Sequence, residues 1–495
     1  MTKVADFDPQ QLVLPLSHFI GGRYLVADEA NITVLRPSDG LPLGTIGEAG
    51  EEVVDLAVRN AWQAWRESGW GQRSPRERAR AMFAWADLIA KDMELARLEA
   101  VSSTRPISQV LASDLPFTAE AIRFFAELAD KQGGEVAATR LDTIGMIASE
   151  PYGVVGAITP WNFPLSMASW KCGPALAAGN AIVVKPSEMT PFSTLRMAEL
   201  AVLAGIPEGV FNVVNGTGGV TGAALVRHPI ISKISFTGST KTGAQIMTAA
   251  AQSGIKPVTL ELGGKSPQLV FENVPDLAHA ARCVASGFTA NAGQACVSGT
   301  RLIVHRRLVE PLIDSIIGEV QKLRPGLTWS AASSYSPIIS RAQAMGISDR
   351  VEQSVSQGAE VLFGGDFFAE TGNGFFYRPT IVSSVSAQMP VVREELFGPV
   401  LTVQTFEDEE EGLALADHPT YGLAAGVHTS DIGQALRATR RIAAGTIWVN
   451  RYGRSGDMIM PTGGFRSSGI GKDLGRKAME ANLQYKSVLI DFDQR

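Results

Sequence analysis

The alternation of apolar and polar positions changes character near residue 150. Before it, apolar residues recur at helical spacing. Val53, Val54, Ala57, Ala61, Ala64 and Trp65 form one stripe, and Met82, Phe83, Ala86, Ile89, Ala90 and Met93 form a second. Ser74-Pro75-Arg76-Glu77, ahead of the second stripe, has the spacing of a capping box with proline at the first helical position, which opens a helix there. The first fifty residues keep no period and read as irregular, with turn signals at Gly21-Gly22 and Pro37-Ser38-Asp39-Gly40. From about Gly153, short apolar runs alternate with helical stretches: GVVGAI (153–158), AIVVKPS (181–187), VFNVVNG (210–216), KISFTG (233–238) and VTLELGG (258–264). Strand, helix, strand at this spacing predicts right-handed βαβ units and a parallel sheet buried on both faces. A second series begins near Gln268 and includes RLIVH (301–305), AEVLFGG (359–365), VLTVQTF (400–406), GLAAGVHT (422–429) and GTIWVN (445–450). The predicted class is therefore α/β, with two doubly wound parallel-sheet domains and a cleft between them where strand ends converge.

Composition narrows the function classes. The chain has 495 residues with 44 Lys+Arg and 50 Asp+Glu, a formal net charge of −6. That balance lacks the basic stripe needed to displace counterions from phosphate, which argues against a nucleic-acid partner. No apolar run reaches the ~18–20 residues of a membrane span. The start, MTKVADFDPQ, has two acids and no apolar core of a signal peptide, so the expected compartment is the cytoplasm. Three cysteines (Cys172, Cys283, Cys296), none at C-x-x-C spacing, build no disulfide framework, and six scattered histidines suggest no metal site. The acid run 407–411 reads as a solvated helix N-terminus.

Five segments have residues suited to chemistry, and each alone admits a plain structural reading. FTGSTKTG (236–243) ends a strand and opens a helix whose free N–H groups attract an anion, although a simple corner looks the same. In KPSE (185–188), just past a strand end, a Lys and a Glu suit the two hydroxyls of a ribose, or are solvated turn charges; the acid would repel a 2′-phosphate and favour NAD over NADP. Cys296 lies in the small, uncharged NAGQACVSGT (291–300), open to a substrate or merely a buried small hydrophobe. Cys283 and Cys172 fall in helical stretches and read as buried thiols. Glu261 sits in an apolar strand ending in two glycines, where burial would raise its pKa toward that of a useful base, or where it pairs with a cation. Asn162, stiffened by two prolines in TPWNFP (159–164), suits an oxyanion donor or an Asx turn.

These segments occur in the order TPWNFP, KPSE, FTGSTKTG, LELGGKSP (260–267), NAGQAC (291–296) and EELFGPV (394–400). Together they closely resemble the NAD(P)-dependent aldehyde dehydrogenase superfamily, over nearly the whole chain. The resemblance implies that Cys296 is the nucleophile, Asn162 with the Cys296 backbone N–H the oxyanion hole, Glu261 the general base, and Lys171 a supporting residue. It implies cofactor contacts at Trp161, Lys185, Ser187, Glu188, Gly238, Ser239, Leu262, Glu395 and Phe397, with NAD favoured and NADP the lesser possibility. Asp473 stands where the family more often has Glu. The implied acyl pocket draws on Phe163, Met167, Trp170, Val297, Arg451 and Thr462. Thr462 stands where many relatives have an aromatic residue, and RYGRSGDMIMPT (451–462) is one residue longer than in common mammalian members.

The implied reaction is oxidation of an aldehyde to a carboxylic acid through a Cys296 thioester, hydrolysed with help from Glu261; members that pass the acyl group to coenzyme A generally lack this acid. Bound cofactor charge and backbone dipoles are expected to lower the thiol's pKa. An alternative substrate class is a carboxylate-bearing semialdehyde, met by an arginine of 451–462, or an amino-aldehyde. A thiol hydrolase without redox turnover and a non-catalytic scaffold are competing readings. The implied segmentation is an NAD-binding domain (1–129 and 151–262), a catalytic domain (263–466), and an oligomerisation arm and tail (130–150 and 467–495). In the family, the hairpin of that arm pairs with the C-terminal tail across subunits, so a homodimer or homotetramer is expected.

Overall fold

The computed structural model describes residues 6–26, 30–368 and 372–492. Its first sheet has eight strands, five of them parallel. Across it lie Phe211–Val213, Ala181–Lys185, Val154–Ile158, Ile231–Thr237 and Val258–Glu261 in that order. The chain starts at Val154–Ile158, winds outward to one side, then returns to add Ile231–Thr237 on the other. The order therefore reverses between these two strands, and the reversal opens a crevice beyond their C-terminal ends. Continuous apolar runs suit strands covered on both faces, and all residues of Val154–Ile158 and Ala181–Lys185 are buried.

The second sheet has seven strands: Glu360–Phe363, Thr380–Ser383, Val400–Phe406, Arg301–His305, Pro267–Val270, Ala424–His428 and Thr446–Val449. All neighbours are parallel except the first pair, so the sequence AEVLFGG supplies an antiparallel edge rather than a parallel strand. Thr380–Ser383, too short to stand out in the sequence, lies between that edge and Val400–Phe406.

The capping box is present in full: Ser74 accepts from the Glu77 N–H, and the Glu77 side chain accepts from the Ser74 N–H. The helix it opens, Pro75–Lys91, buries Met82, Ala86 and Ile89, but its stripe turns through Ala79 and Trp85. Phe83, Ala90 and Met93 face outward instead. The expected acid helix also forms, with Asp408 as its N-cap and Glu409, Glu410 and Glu411 in its first turn. The described residues among the first fifty are more ordered than their pattern suggested. Gly21-Gly22 turns a hairpin between His18–Ile20 and Arg23–Leu25, and 37–40 turns another between Ala30–Leu35 and Pro42–Gly47.

The segmentation differs at the C-terminus. Gly469–Ile470 pairs antiparallel with Val258–Glu261, and Leu474, Ala478 and Met479 pack into the first core. The arm proper is a three-stranded sheet of Glu135–Ala137, Thr143–Pro151 and Leu483–Asp491. Its tail strand pairs with the hairpin of its own chain over nine residues, where pairing across subunits was expected. No described helix is long and apolar enough to cross a membrane.

Candidate active site

The crevice between the sheets is a cavity of about 640 Å³. One wall is the turn after Val154–Ile158. There Thr159 N–H bonds the Lys185 carbonyl at 3.1 Å, and helix Pro164–Ala177 begins with proline at its first position. Asn162 is buried and caps nothing. Its Nδ2 donates to the Gln294 carbonyl at 2.9 Å, while its own carbonyl accepts from Asn291 Nδ2 at 2.9 Å. An amide nitrogen carries two N–H groups, so one fixes the rotamer and the second remains available.

Cys296 lies in the loop that Gln294 anchors. Gln294 Nε2 donates to the Asn291 and Pro337 carbonyls, and its Oε1 accepts from Ile339 N–H. Asn291 and Ala292 both have φ near +51°, a left-handed conformation costly for alanine and held here by these bonds. Tyr452 Oη donates to the Val297 carbonyl at 2.7 Å, clamping the other side. Burial pushes the Cys296 thiol up to about 12; the Arg454 charge pulls it down, while Glu395 and Glu261 raise it. The Val297 backbone N–H also lowers it, but burial outweighs both lowering influences.

Glu261 ends the strand Val258–Glu261, in register with Thr237 on one side and Gly469 on the other. Its Oε1 is buried without a hydrogen-bond partner. Burial holds its pKa well above the ordinary carboxyl range, with the Asp473 charge adding to the rise. Beside it, Lys171 Nζ lies 2.5 Å from Asp473 Oδ2, with both side chains buried. Asp473 thus keeps a firm contact in place of the longer acid. At Gly463 (φ +145°) an added Cβ would come 2.7 Å from Glu261 Oε1, so glycine there makes room for the acid.

On the far side, Gly238 and Ser239 open the 13-residue helix Thr240–Gln252, with Ser239 Oγ accepting from Thr242 N–H. Leu262 is buried beneath this helix. An added Cβ at Gly243 would meet it at 2.6 Å. Glu395 Oε1 accepts from Gly264 N–H at 2.9 Å; burial raises this acid to about 7, against the pull of that N–H and of Lys265. Trp161 and Phe397 meet edge to face at 5.2 Å, with Gln343 Nε2 donating to the Leu396 and Phe397 carbonyls. Lys185, Ser187 and Glu188 lie off this wall, at the end of the adjoining strand. Lys185 Nζ donates to the Gly216 carbonyl at 2.6 Å and to Glu188 at 3.1 Å. A dinucleotide fits this set. The helix N-terminus is open, and Thr159 Oγ1 and Thr237 Oγ1 are buried without partners at the two strand ends flanking the reversal.

Phe163, Met167, Trp170, Val297 and Thr462 also line the cavity. Arg451 is not among them. Its Nη2 donates to the Gly453 carbonyl, and Nη1 lies 3.8 Å from Asp457. Arg454 lines the cavity instead, over the Trp170 ring at 5.1 Å. Sequence reading also missed Asp114, Phe117, Gln343 and Tyr452. Asp114 and Phe117 come from a helical region far upstream with no local signal. The pattern Asn291-x-x-Gln294 before the cysteine was the one local hint of a bonded loop.

Comparison with known proteins agrees with this geometry. Residues 24–488 match the model of the aldehyde dehydrogenase family. The chain is 40% identical over 477 residues to the NADP/NAD-dependent aldehyde dehydrogenase PuuC of Escherichia coli K12, covering 96% of this chain and 95% of that protein. Among solved structures it resembles the P. syringae indole-3-acetaldehyde dehydrogenase AldA, in a complex with NAD+ and IAA, at 38% identity and a TM-score of 0.95, covering 98% of both chains. It also resembles the gamma-glutamyl-gamma-aminobutyraldehyde dehydrogenase of Burkholderia cenocepacia J2315, at 39% identity and a TM-score of 0.95, again over 98% of both. This chain, with its cysteine loop facing a glycine-edged crevice, belongs to the aldehyde dehydrogenase family.

Proposed function

We propose that the protein oxidises an aldehyde to a carboxylic acid through a thioester on Cys296. The observation that supports this best is the convergence of Cys296, the free N–H of Asn162 and the unpartnered Glu261 on one cavity. Glu261 takes the thiol proton, directly or through a water, and the sulfur forms a bond to the carbonyl carbon. The carbonyl electron pair moves to oxygen, which accepts hydrogen bonds from Asn162 Nδ2 and the Cys296 N–H. Gly238, Ser239, Glu395 and the KPSE segment would hold NAD, which when bound would supply the acceptor for the departing hydride. Collapse of the oxyanion leaves the acyl group on Cys296. With its first proton released to solvent, Glu261 takes a proton from water, the water oxygen bonds to the acyl carbon, and the C–S bond breaks to release the acid, the leaving sulfur taking back the proton held by Glu261. The orphaned Glu261 oxygen is suited to receive that water.

Glu188 disfavours a 2′-phosphate, but its pairing with Lys185 tempers the repulsion, so NAD is preferred without NADP being excluded. All three thiols are unpaired, which suits a reducing compartment such as the cytoplasm. The arm leaves Val136, Tyr485, Leu489 and Ile490 exposed, which supports a homodimer or homotetramer burying them. Absorbance of reduced nicotinamide on mixing protein, NAD and a simple aldehyde tests the reaction, with Cys296→Ala as control. Rapid ester hydrolysis without nicotinamide reduction would favour the hydrolase reading.

A further inference from the structure

Among the described residues, Arg454 is the single cationic side chain lining the cavity, and it forms no ion pair. A guanidinium has five N–H donors. One goes to Thr462 Oγ1, and the plane rests on Trp170. Where an aromatic residue in place of Thr462 would fill this space, the hydroxyl instead holds the arginine inside. Beside it, Trp170 Nε1 is a second buried donor without a partner.

Of the acids around the cavity or beside it, two are paired with cations and two are held toward their neutral forms. Asp114 receives two bonds from Arg105, at 2.7 and 3.1 Å, and Arg105 in turn stacks on Phe163. Asp473 is taken by Lys171. Glu261 and Glu395 are held toward their neutral forms by burial. A substrate ammonium group would therefore meet a cation without an ion pair, whereas a carboxylate would meet unspent donors. Leaving a buried cation without a counter-charge is costly, and an anion supplied by substrate removes that cost.

We propose that Arg454 is a specificity-determining residue that receives a carboxylate carried by the substrate, with Trp170 Nε1 as a second donor, so that the preferred substrates are oxo-carboxylic acids, oxidised to dicarboxylates. This rests on Cys296 as nucleophile. The bonds made and broken are those given above, and the bound carboxylate takes no part in them. It discriminates against amino-aldehydes and places Arg454, rather than Arg451, at the substrate.

The test compares kcat/KM for a series of ω-oxo carboxylic acids with that for alkanals of matched length, both with NAD. The wild type is expected to favour the acids. In Arg454→Met the acid-to-alkanal ratio falls about 100-fold, as for loss of one partner of a buried charge pair. Arg454→Lys lies between, since it keeps the charge and loses the planar fork. A ratio that does not change overturns the proposal. So does an equal fall for both classes, which would assign Arg454 to the Cys296 thiolate instead. A binding readout separates this from the nucleophile assignment. In Cys296→Ala with NAD present, a dicarboxylate product should bind more tightly than the matched monocarboxylate, and Arg454→Met should abolish that difference. If neither aldehyde class is oxidised while this Arg454-dependent binding holds, the nucleophile assignment fails and the carboxylate site stands. Equal binding of the two acids would remove the site.

Discussion

Lys171 Nζ sits 2.5 Å from Asp473 Oδ2 in a fully buried pair joining helix Pro164–Ala177 to the returning C-terminal segment. The pair also lies against Glu261, whose pKa it affects from both sides: Asp473 raises it and Lys171 lowers it. Asp473→Ala would leave Lys171 buried without a counter-charge. The expected cost is about 3–5 kcal/mol of stability, as for broken buried ion pairs. Thermal unfolding of Asp473→Ala beside the double variant Lys171→Met/Asp473→Leu checks this, since the apolar pair should recover much of the loss.

The same contact sets a pH dependence. Because Glu261 titrates well above the ordinary carboxyl range, it is protonated and unable to act as base at acid pH. The thioester-hydrolysis rate should therefore rise with pH through that raised pKa. Asp473→Asn removes the charge that raises it, so the rising limb of kcat against pH should move to lower pH. A limb that stays in place would show that burial alone sets the base.

Loss of the Asn162 donor should slow the chemical step with little effect on cofactor. Asn162→Ala is expected to lower kcat/KM about 10²–10³-fold, the usual value of one oxyanion donor. Its affinity for NAD, read by fluorescence titration, should stay close to the wild-type value.

Glu99 offers a test of stability against pH. It is fully buried, with Oε2 unpartnered, and burial raises its pKa to about 8, with Asp114 adding to the rise and Ser193 and the Leu165 N–H opposing it. An acid whose folded pKa lies above its unfolded value binds more protons when folded. Its stabilising contribution is complete below about 4.5 and is lost as pH climbs toward 8. Glu99→Gln keeps the shape without the charge. Its melting temperature should gain on wild type as pH rises from about 5 to about 8, by several degrees.

Cofactor choice should respond to Glu188. In the proposed cofactor site, Glu188→Ala removes the charge that would face a 2′-phosphate and frees the buried Lys185 from its partner. The ratio of kcat/KM with NADP to that with NAD should rise about tenfold or more.

Much of this architecture is legible in the sequence because the parallel strands are short continuous apolar runs, and covering both faces demands that pattern. The hairpins before residue 50 escaped because three-residue strands such as Arg23–Leu25, wholly exposed, carry no period. Thr380–Ser383 escaped because four residues suffice when neighbours on both sides supply the ladder. Cys296, Glu261 and Asn162 each stand out in a segment whose small residues or prolines are unusual for a plain strand end, but alone each admitted a structural reading, and only the conjunction of six segments in one order singled them out. Arg451 and Arg454 were not separable. They lie three residues apart in one loop, and Asp457 draws Arg451 outward while Thr462 and Trp170 hold Arg454 inward. Asp114 and Phe117 reach the cavity through tertiary packing across many intervening residues, which no local pattern records.

The central claim is that the acyl group rests on Cys296 until Glu261 helps water remove it. The most direct measurement mixes Glu261→Gln with NAD and an aldehyde, quenches, and combines absorbance with mass spectrometry of the peptide containing Cys296. The account expects about one reduced nicotinamide per chain, followed by slow turnover, and an acyl mass on Cys296 that accumulates with it. Turnover at the wild-type rate, or reduced nicotinamide forming with Cys296 unmodified, would contradict it.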